Sequence, residues 1–194
     1  MILATPTPTA KVVVATRTPT AKVIVATPTS SSVFVSKWGR TGAGDGPFGV
    51  AVPPDGSVYV ADPFNYRLQK FTSEGAFVSK WDRLGAGDGQ FSWPHSVATA
   101  PDGSIYVAGG RNHRLQKFTS QGAFVSRWGT VGTGEGQFNW PLGVAVTSDG
   151  SVYIADSWND HIQKFLSTGV LVSEWDTVGT GEGCGLYNAV VLIE

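Results

Sequence analysis

Short apolar stretches alternate with polar turn residues along most of the chain, and this alternation predicts β-strands rather than helices. In one clear stretch the pattern predicts four strands, at residues 143–146, 151–155, 161–165 and 170–175. Turn-forming residues separate these strands, and no stretch carries apolar residues at helical spacing over three turns. Helix is therefore expected to be nearly absent.

The four-strand pattern recurs along the chain as an internal repeat. A tryptophan stands at the end of each unit, and these tryptophans are 43, 47 and 47 residues apart: Trp38, Trp81, Trp128 and Trp175. The first full unit is four residues shorter, because it lacks the segment that holds Trp93-Pro94 and Trp140-Pro141 in the later units. Four antiparallel strands in about 40–50 residues, with an apolar strand first, predict a β-propeller blade whose first strand is innermost.

An Asp-Gly pair follows the first strand of each unit, at Asp55-Gly56, Asp102-Gly103 and Asp149-Gly150. Such a pair predicts a two-residue hairpin, because both central positions of that turn favour positive φ.

The repeated motifs resemble those of the NHL-repeat family. They are Gly-Glu-Gly-Gln-Phe-Asn-Trp-Pro-Leu-Gly-Val-Ala-Val at 134–146, Val-Tyr-Ile-Ala-Asp at 152–156 and Asn-His-Arg-Leu-Gln-Lys-Phe at 112–118. The resemblance covers about residues 33–183, in three successive copies. It implies a propeller, usually of about six blades, that mostly binds proteins, peptides, glycans or, in some members, RNA. A minority of the family are lyases with a metal in the central channel.

Three units do not close a ring, so the chain ends matter to the architecture. We divide the chain into a Thr/Pro-rich segment, 1–32, and a propeller domain, 33–194. The first segment is either an extended linker or part of a fourth, composite blade. In that composite blade, strands 11–14, 22–25 and 33–37 pair with an innermost strand 188–193. The rivals are an open three-blade arc and a homodimer in which two chains close the ring head to tail.

Composition narrows the function classes. A formal net charge of −1 gives no general attraction to phosphate backbones, so no nucleic-acid partner is expected. No run approaches the roughly 18 apolar residues of a membrane span, and the single cysteine, Cys184, excludes an intrachain disulfide. The first residues lack the features of a signal peptide. The Thr/Pro-rich stretch nevertheless favours an extracellular or cell-surface setting.

Most conspicuous residues repeat, and repetition indicates architecture rather than chemistry. The tryptophans at the ends of the units are expected to pack between blades. Phe71, Phe118 and Phe165 are expected to lie in the core. Asp62 and Asp156 are expected to cap the turns of Asn65 and Asn159. The glycine-rich runs 42–46 and 85–89 lack a lysine and a following helix, so they are predicted to connect blades rather than to bind phosphate.

Residues that do not repeat are better candidates for function. His95 precedes an innermost strand, where it could ligate a metal or move protons at the mouth of the channel. Loop aromatics are common anchors of protein and sugar ligands. The candidate ligand-binding residues are Trp93, His95, Trp140 and Trp158, with Arg111 and Arg114 as polar partners. His113 and His161 are interpreted as solvated turn positions.

These features predict a non-catalytic binding scaffold, without a cofactor, that recognises a protein, peptide or glycan through its loops and channel mouth. No Ser-His-acid or Cys-His signature is present, so catalytic residues are not assigned. One alternative is a propeller lyase or hydrolase with a metal in the channel near His95. The other is a structural module of a larger surface protein, with the Thr/Pro-rich segment as a stalk.

Overall fold

Residues 46–176, which the computed structural model describes, form three four-stranded antiparallel sheets. In each sheet the strands lie in sequence order. The first blade contains β1 (Gly49–Ala51), β2 (Val58–Asp62), β3 (Arg67–Phe71) and β4 (Phe77–Trp81). The second contains β5 (Pro94–Thr99), β6 (Ile105–Gly109), β7 (Arg114–Phe118) and β8 (Phe124–Trp128). The third contains β9 (Pro141–Val146), β10 (Val152–Asp156), β11 (His161–Phe165) and β12 (Leu171–Asp176).

The strand predictions are confirmed to within about two residues at each end. Within residues 46–176 the only helical segments are two single 3₁₀ turns, Pro63–Asn65 and Gly110–Asn112. Both follow the second strand of a blade, so they shape loops without interrupting a sheet.

The first strands of the blades lie side by side: β1 is adjacent to β5, and β5 to β9. The approach is close, since a Cβ built on Gly49 would lie 2.8 Å from the backbone oxygen of His95. Neighbouring first strands, each leading into its own sheet, are the arrangement of propeller blades around a channel. The fold-class prediction is confirmed.

The apolar core lies between blades rather than within one. One cluster joins Tyr59 and Leu68 of the first blade to Phe91 and Ile105 of the second. An equivalent cluster joins the second blade to the third. A single blade has two faces to bury, and only its neighbours can cover them, so the blades stabilise one another.

Each pair of adjacent blades also shares what we call a Trp–Gly joint. Trp81 lies against Gly122 of the next blade, so closely that a Cβ on Gly122 would be 1.3 Å from the indole Nε1. Trp128 meets Gly169 in the same way, at 2.3 Å. The prediction that Trp81 and Trp128 pack between blades is confirmed.

The Asp-Gly hairpins differ from the prediction. The glycines have positive φ, but the aspartates do not, so the two-residue turn is wrong. Gly103 N–H donates to Ala100 O and Ala100 N–H to Ser104 O, which defines a three-residue loop. The aspartate contributes through its side chain instead: Asp102 Oδ1 accepts the Ser104 N–H at 2.8 Å. This hydrogen bond favours aspartate at the position, although its φ is not positive.

The proposed composite blade, with strands 11–14, 22–25, 33–37 and 188–193, lies outside the described residues, as do Trp38 and most of the glycine run 42–46. Among residues 46–176 no helix is long and apolar enough to cross a membrane.

Candidate functional site

The loops before the innermost strands and the turns between second and third strands share one end of the blades, here called the top end. This follows from topology: each blade is a meander, so these two kinds of loop lie on the same side of its sheet. Five of the six candidate residues therefore lie at the top end, and the sixth, Arg114, lies next to it at the start of β7.

An aromatic row runs along the top end across all three blades. Its members, each within 6.0 Å of the next between ring centres, are Phe48, Phe64, Trp93, Trp140 and Trp158. Trp93 and Trp140 meet edge to face, whereas Trp140 and Trp158 stack with their planes 20° apart. The structure thus brings together the three tryptophans that the sequence suggested.

Three of the side chains at the top end occupy the same place in their repeats, two residues after the end of the second strand. They are Phe64, Arg111 and Trp158, here called the tip residues. Each covers the aromatic ring before the first strand of its own blade: Arg111 lies 4.7 Å from the centre of the Trp93 ring, and Trp158 lies 5.4 Å from that of Trp140. Arg111 is exposed and Trp158 is 56% exposed, while Trp93 and Trp140 are half-buried beneath them.

The backbone holds the two covered tryptophans in an unusual conformation. Trp93 and Trp140 have φ values of 55° and 54°, in the left-handed region. Such a conformation costs a non-glycine residue on the order of 1 kcal/mol or more. The surrounding structure must therefore hold these two backbones, and with them the indoles, in place.

His95 lies on the inner side of this surface. Its ring stacks on Phe48 at 4.9 Å, and its Nδ1 lies 2.9 Å from the backbone oxygen of Leu142, to which it donates. Burial lowers the pKa of His95, and the hydrogen bond to Leu142 opposes this only in part. The imidazole is therefore neutral near pH 7, with the Nε2 lone pair as its acceptor.

Strand register shows that Phe48, His95 and Leu142 share one position. Each precedes the residue that pairs with the alanine of the second strand, Ala61, Ala108 or Ala155. The shortened first unit thus brings Phe48 to the place that His95 occupies in the second blade. The sequence carries a signal of this equivalence, since Gly-Val-Ala-Val directly follows both Phe48 and Leu142.

Arg114 has a different environment from the other candidates. It is 4% exposed, and its guanidinium donates to three backbone oxygens of the loop between the first two blades: Ala86 at 2.5 Å, Gly87 at 2.7 Å and Gln90 at 3.1 Å. Burial lowers the pKa of Arg114, with a smaller contribution from Arg127. Arg114 therefore belongs to the frame beneath the top end: both terminal nitrogens of its guanidinium donate to this loop, whereas its buried Nε has no partner within residues 46–176.

His161, interpreted from sequence as a solvated turn residue, is buried. Its Nε2 lies 3.0 Å from Asp156 Oδ2 and 3.0 Å from Gln163 Nε2. Asp156 also accepts from the side chain of Asn159 at 2.7 Å, which confirms the predicted cap. In the first blade Asp62 caps Asn65 at 2.9 Å in the same way. Sequence reasoning missed the Asp156–His161 pair because strand pairing, not sequence spacing, brings the two together.

His113 takes part in the same surface through Trp140, whose backbone N–H lies 3.3 Å from His113 Nδ1. Within residues 46–176 no three His, Cys, Asp or Glu side chains come close enough to hold a metal ion. In this part of the chain His95 therefore does not belong to a set of three such ligands.

The family model for the NHL repeat matches the chain twice, at residues 91–118 and 138–165. No curated protein matches the sequence at a significant level. Solved structures do match. A streptogramin B lyase aligns with a TM-score of 0.58 and 18% identity, over 75% of this chain and 45% of its own. The hydrazine synthase of Kuenenia stuttgartiensis aligns with a TM-score of 0.57 and 17% identity, over 70% and 37%.

A structure of a nidogen/laminin complex also aligns, with a TM-score of 0.51, 17% identity and coverage of 66% and 48%. The chain spans less than half the length of each of these structures. At such identities the likeness concerns the fold. Together with the two stretches that match the NHL repeat, it shows that the sheets of this chain are blades of the β-propeller type.

Proposed function

We propose that this chain is a non-catalytic recognition module that binds a protein, peptide or glycan at its top end. The tip residues Trp158 and Arg111 would make the principal contacts, with Trp140 and Trp93 as their rigid support. The observation that carries the proposal is the aromatic row, which ends in the exposed indole of Trp158 and carries the exposed guanidinium of Arg111 over Trp93.

The composition of this surface favours recognition. Tryptophan and arginine, together with tyrosine, are enriched at the energetic centres of interfaces. Trp158 stacks on Trp140 and Arg111 on Trp93, so neither side chain is free to adopt many rotamers. Less conformational entropy is then lost when a ligand is bound.

The proposal can be tested by screening the full chain against a glycan array and a displayed peptide library. Variants Trp158→Ala and Arg111→Ala should weaken any specific binder, the first by about 2 kcal/mol, or roughly thirtyfold in Kd. Leu166→Ala is a matched control, since Leu166 is 47% exposed at the opposite end of the third blade. Ligands that bind Trp158→Ala as tightly as the parent would contradict the proposal.

The alternative of a channel enzyme depends on His95, whose neutral imidazole at the inner strand is the observation in its favour. A titration with divalent metals distinguishes the two functions. We expect weak, non-stoichiometric binding that His95→Phe leaves unchanged. Stoichiometric binding that is lost in His95→Phe would favour a metal-dependent lyase or hydrolase. If the full chain binds neither ligands nor metal, the third possibility, a structural module, is favoured.

A further inference from the structure

We propose that Asp156 and His161 position the stacked Trp140–Trp158 pair and release it in acid, so that the top end of the third blade responds to pH. The positioning is independent of any ligand. Only its consequence, that ligand binding weakens as the pH falls, depends on the function proposed above.

One carboxylate connects the two segments that carry the tryptophans. Asp156 Oδ1 accepts the backbone N–H of Asn139, which precedes Trp140, at 2.7 Å. Its Oδ2 accepts the side chain of Asn159, which follows Trp158, at 2.7 Å. A direct bond reinforces the connection, since Trp158 N–H donates to Asn139 O at 3.0 Å. Asp156 thus fixes the distance between the backbones on which both indoles are mounted.

Within the described chain this arrangement is special to the third blade. In the first blade Asp62 has a permanent cation as its partner, with Arg67 Nε at 2.9 Å. In the second blade Gly109 stands at the position of the aspartate, and Arg114 is directed to loop carbonyls. Only the third blade pairs the carboxylate with a histidine, His161, instead of a guanidinium.

Protonation would change what the carboxylate can do. Ionised Asp156 accepts from three donors, the third being His161 Nε2–H at 3.0 Å. A protonated carboxyl is itself a donor and has fewer acceptor sites, so it cannot keep all three bonds. Burial raises the pKa of Asp156, against the opposing effects of Asn139, Asn159 and His161. The three bonds are therefore lost at milder acidity than for an ordinary aspartate.

The other polar groups around the pair do not supply a permanent positive charge. Gln163 and Asn159 are neutral, and Gln163 Nε2 is held by the backbone oxygen of Gln137 at 2.8 Å. The acidic residues on the surrounding elements are Glu135, Asp160, Glu174 and Asp176; Lys164 on β11 lies over Tyr153, and His113 of the preceding blade contacts Trp140. Among the described residues, His161 is thus the basic side chain in contact with the carboxylate.

The experiment follows the stacked indoles directly, without a ligand. Exciton coupling in the circular dichroism of the full chain is recorded from about pH 8 to about pH 4, and the signal of the pair is isolated by subtracting the spectrum of Trp158→Phe. We expect this signal to decline in acid with a midpoint above the ordinary aspartate value of about 3.9. Acrylamide quenching of Trp158 should rise over the same range.

His161→Arg is the decisive variant, because it recreates the Asp62–Arg67 pair of the first blade. It should keep the signal at neutral pH and move the midpoint down by about one to three pH units, since an adjacent permanent cation favours the ionised carboxylate. Asp156→Asn should weaken the signal at every pH and remove its titration. A purely structural role would leave the midpoint in His161→Arg unchanged.

The inference is overturned if the parent signal does not vary with pH, or if Asp156→Asn retains both the signal and its titration. These outcomes are separate from those for the proposed function. If the signal titrates as expected but Trp158→Ala binds ligands as tightly as the parent, the positioning role stands and the recognition role is contradicted. If a ligand binds through Trp158 but the signal does not vary with pH, the recognition role is supported and the pH-dependent positioning is contradicted.

Discussion

Single residues at equivalent places in the repeat differ in chemistry although their backbones correspond. Phe48, His95 and Leu142 share one position before the innermost strand, yet only His95 can titrate. Similarly, Tyr59 and Tyr106 share a place in the second strand, and only one of their hydroxyl groups has a partner in the described part of the chain. These pairs provide internal controls for measuring the effect of a single group.

His95 should make stability depend on pH in a predictable direction. Burial lowers its pKa in the folded state, so its contribution to stability is full above the unfolded value of about 6.5 and is lost as the pH falls through the folded value. The variant His95→Phe introduces the residue that the first blade has at this position, Phe48. The free energies of unfolding of the parent and the variant, measured in urea, should diverge between about pH 7.5 and pH 5. A free-energy difference that stays constant over this range would contradict the prediction.

The buried hydroxyl of Tyr106 should cost stability. It has no hydrogen-bond partner within residues 46–176, whereas the Tyr59 hydroxyl lies 3.4 Å from Ser120 O. Tyr106→Phe removes an unsatisfied polar group and keeps the ring under Lys117, so it should raise the free energy of unfolding by roughly 1 kcal/mol. Tyr59→Phe should leave it unchanged or lower it. Chemical denaturation of both variants checks this, and a destabilised Tyr106→Phe would indicate a bound water at the hydroxyl.

At the scale of strands and turns, local pattern determined most of the structure. Period-two alternation and the glycine-marked turns located the strands, because side chains on a half-buried sheet must alternate. The hairpin type was missed because an Asp-Gly pair is compatible with two loop lengths. The three-residue loop is favoured by the hydrogen bond from Ser104 N–H to the Asp102 side chain, a contact that the Asp-Gly pair alone does not reveal.

The candidate site was predictable only in part. The loop tryptophans chosen from the sequence as candidate ligand-binding residues lie together in the aromatic row, and their role in binding stays a prediction. Arg114 could not be separated from Arg111 by sequence. Three residues apart, one guanidinium reaches inward to loop carbonyls while the other lies over an indole. Which one faces outward depends on strand register.

The Trp–Gly joint should be sensitive to a single added methyl group. Gly122→Ala would force the methyl against Trp81, whereas Gly150→Ala has open space around the same atom. Both glycines have nearly equal positive φ, 85° and 83°, so the backbone strain of about 1 kcal/mol is common to both variants. We expect Gly122→Ala to lower the free energy of unfolding by roughly 2 kcal/mol more than Gly150→Ala. Equal losses, measured by urea denaturation, would show that the joint is loose.

At the scale of the whole molecule, the first and third blades each have one face that no other blade covers within residues 46–176. Trp175 occupies the position of Trp81 and Trp128 and stacks on Tyr153, yet it is 46% exposed. Strands at the end of an array also leave backbone groups to be paired. The composite blade formed by 11–14, 22–25, 33–37 and 188–193 remains our prediction for how the chain covers these faces.

Deleting residues 1–30 tests that prediction. If the segment supplies strands to a fourth blade, its removal should lower the free energy of unfolding by several kcal/mol, a large share of the roughly 5–15 kcal/mol of a typical domain, and promote aggregation. Thermal unfolding and light scattering of the two chains measure both effects. An unchanged melting curve would identify the segment as a linker, and a dimeric mass in the parent would favour closure by a second chain.

The Trp–Gly joint has a consequence for how such a chain can change its length. Every unit carries both halves of the joint, a glycine in the turn before its last strand and a tryptophan at the end of that strand. A unit copied or lost by recombination of its gene therefore meets its new neighbour through surfaces that already fit. The chain can therefore gain or lose whole blades, and only the outer faces of the two end blades then need new substitutions to fit.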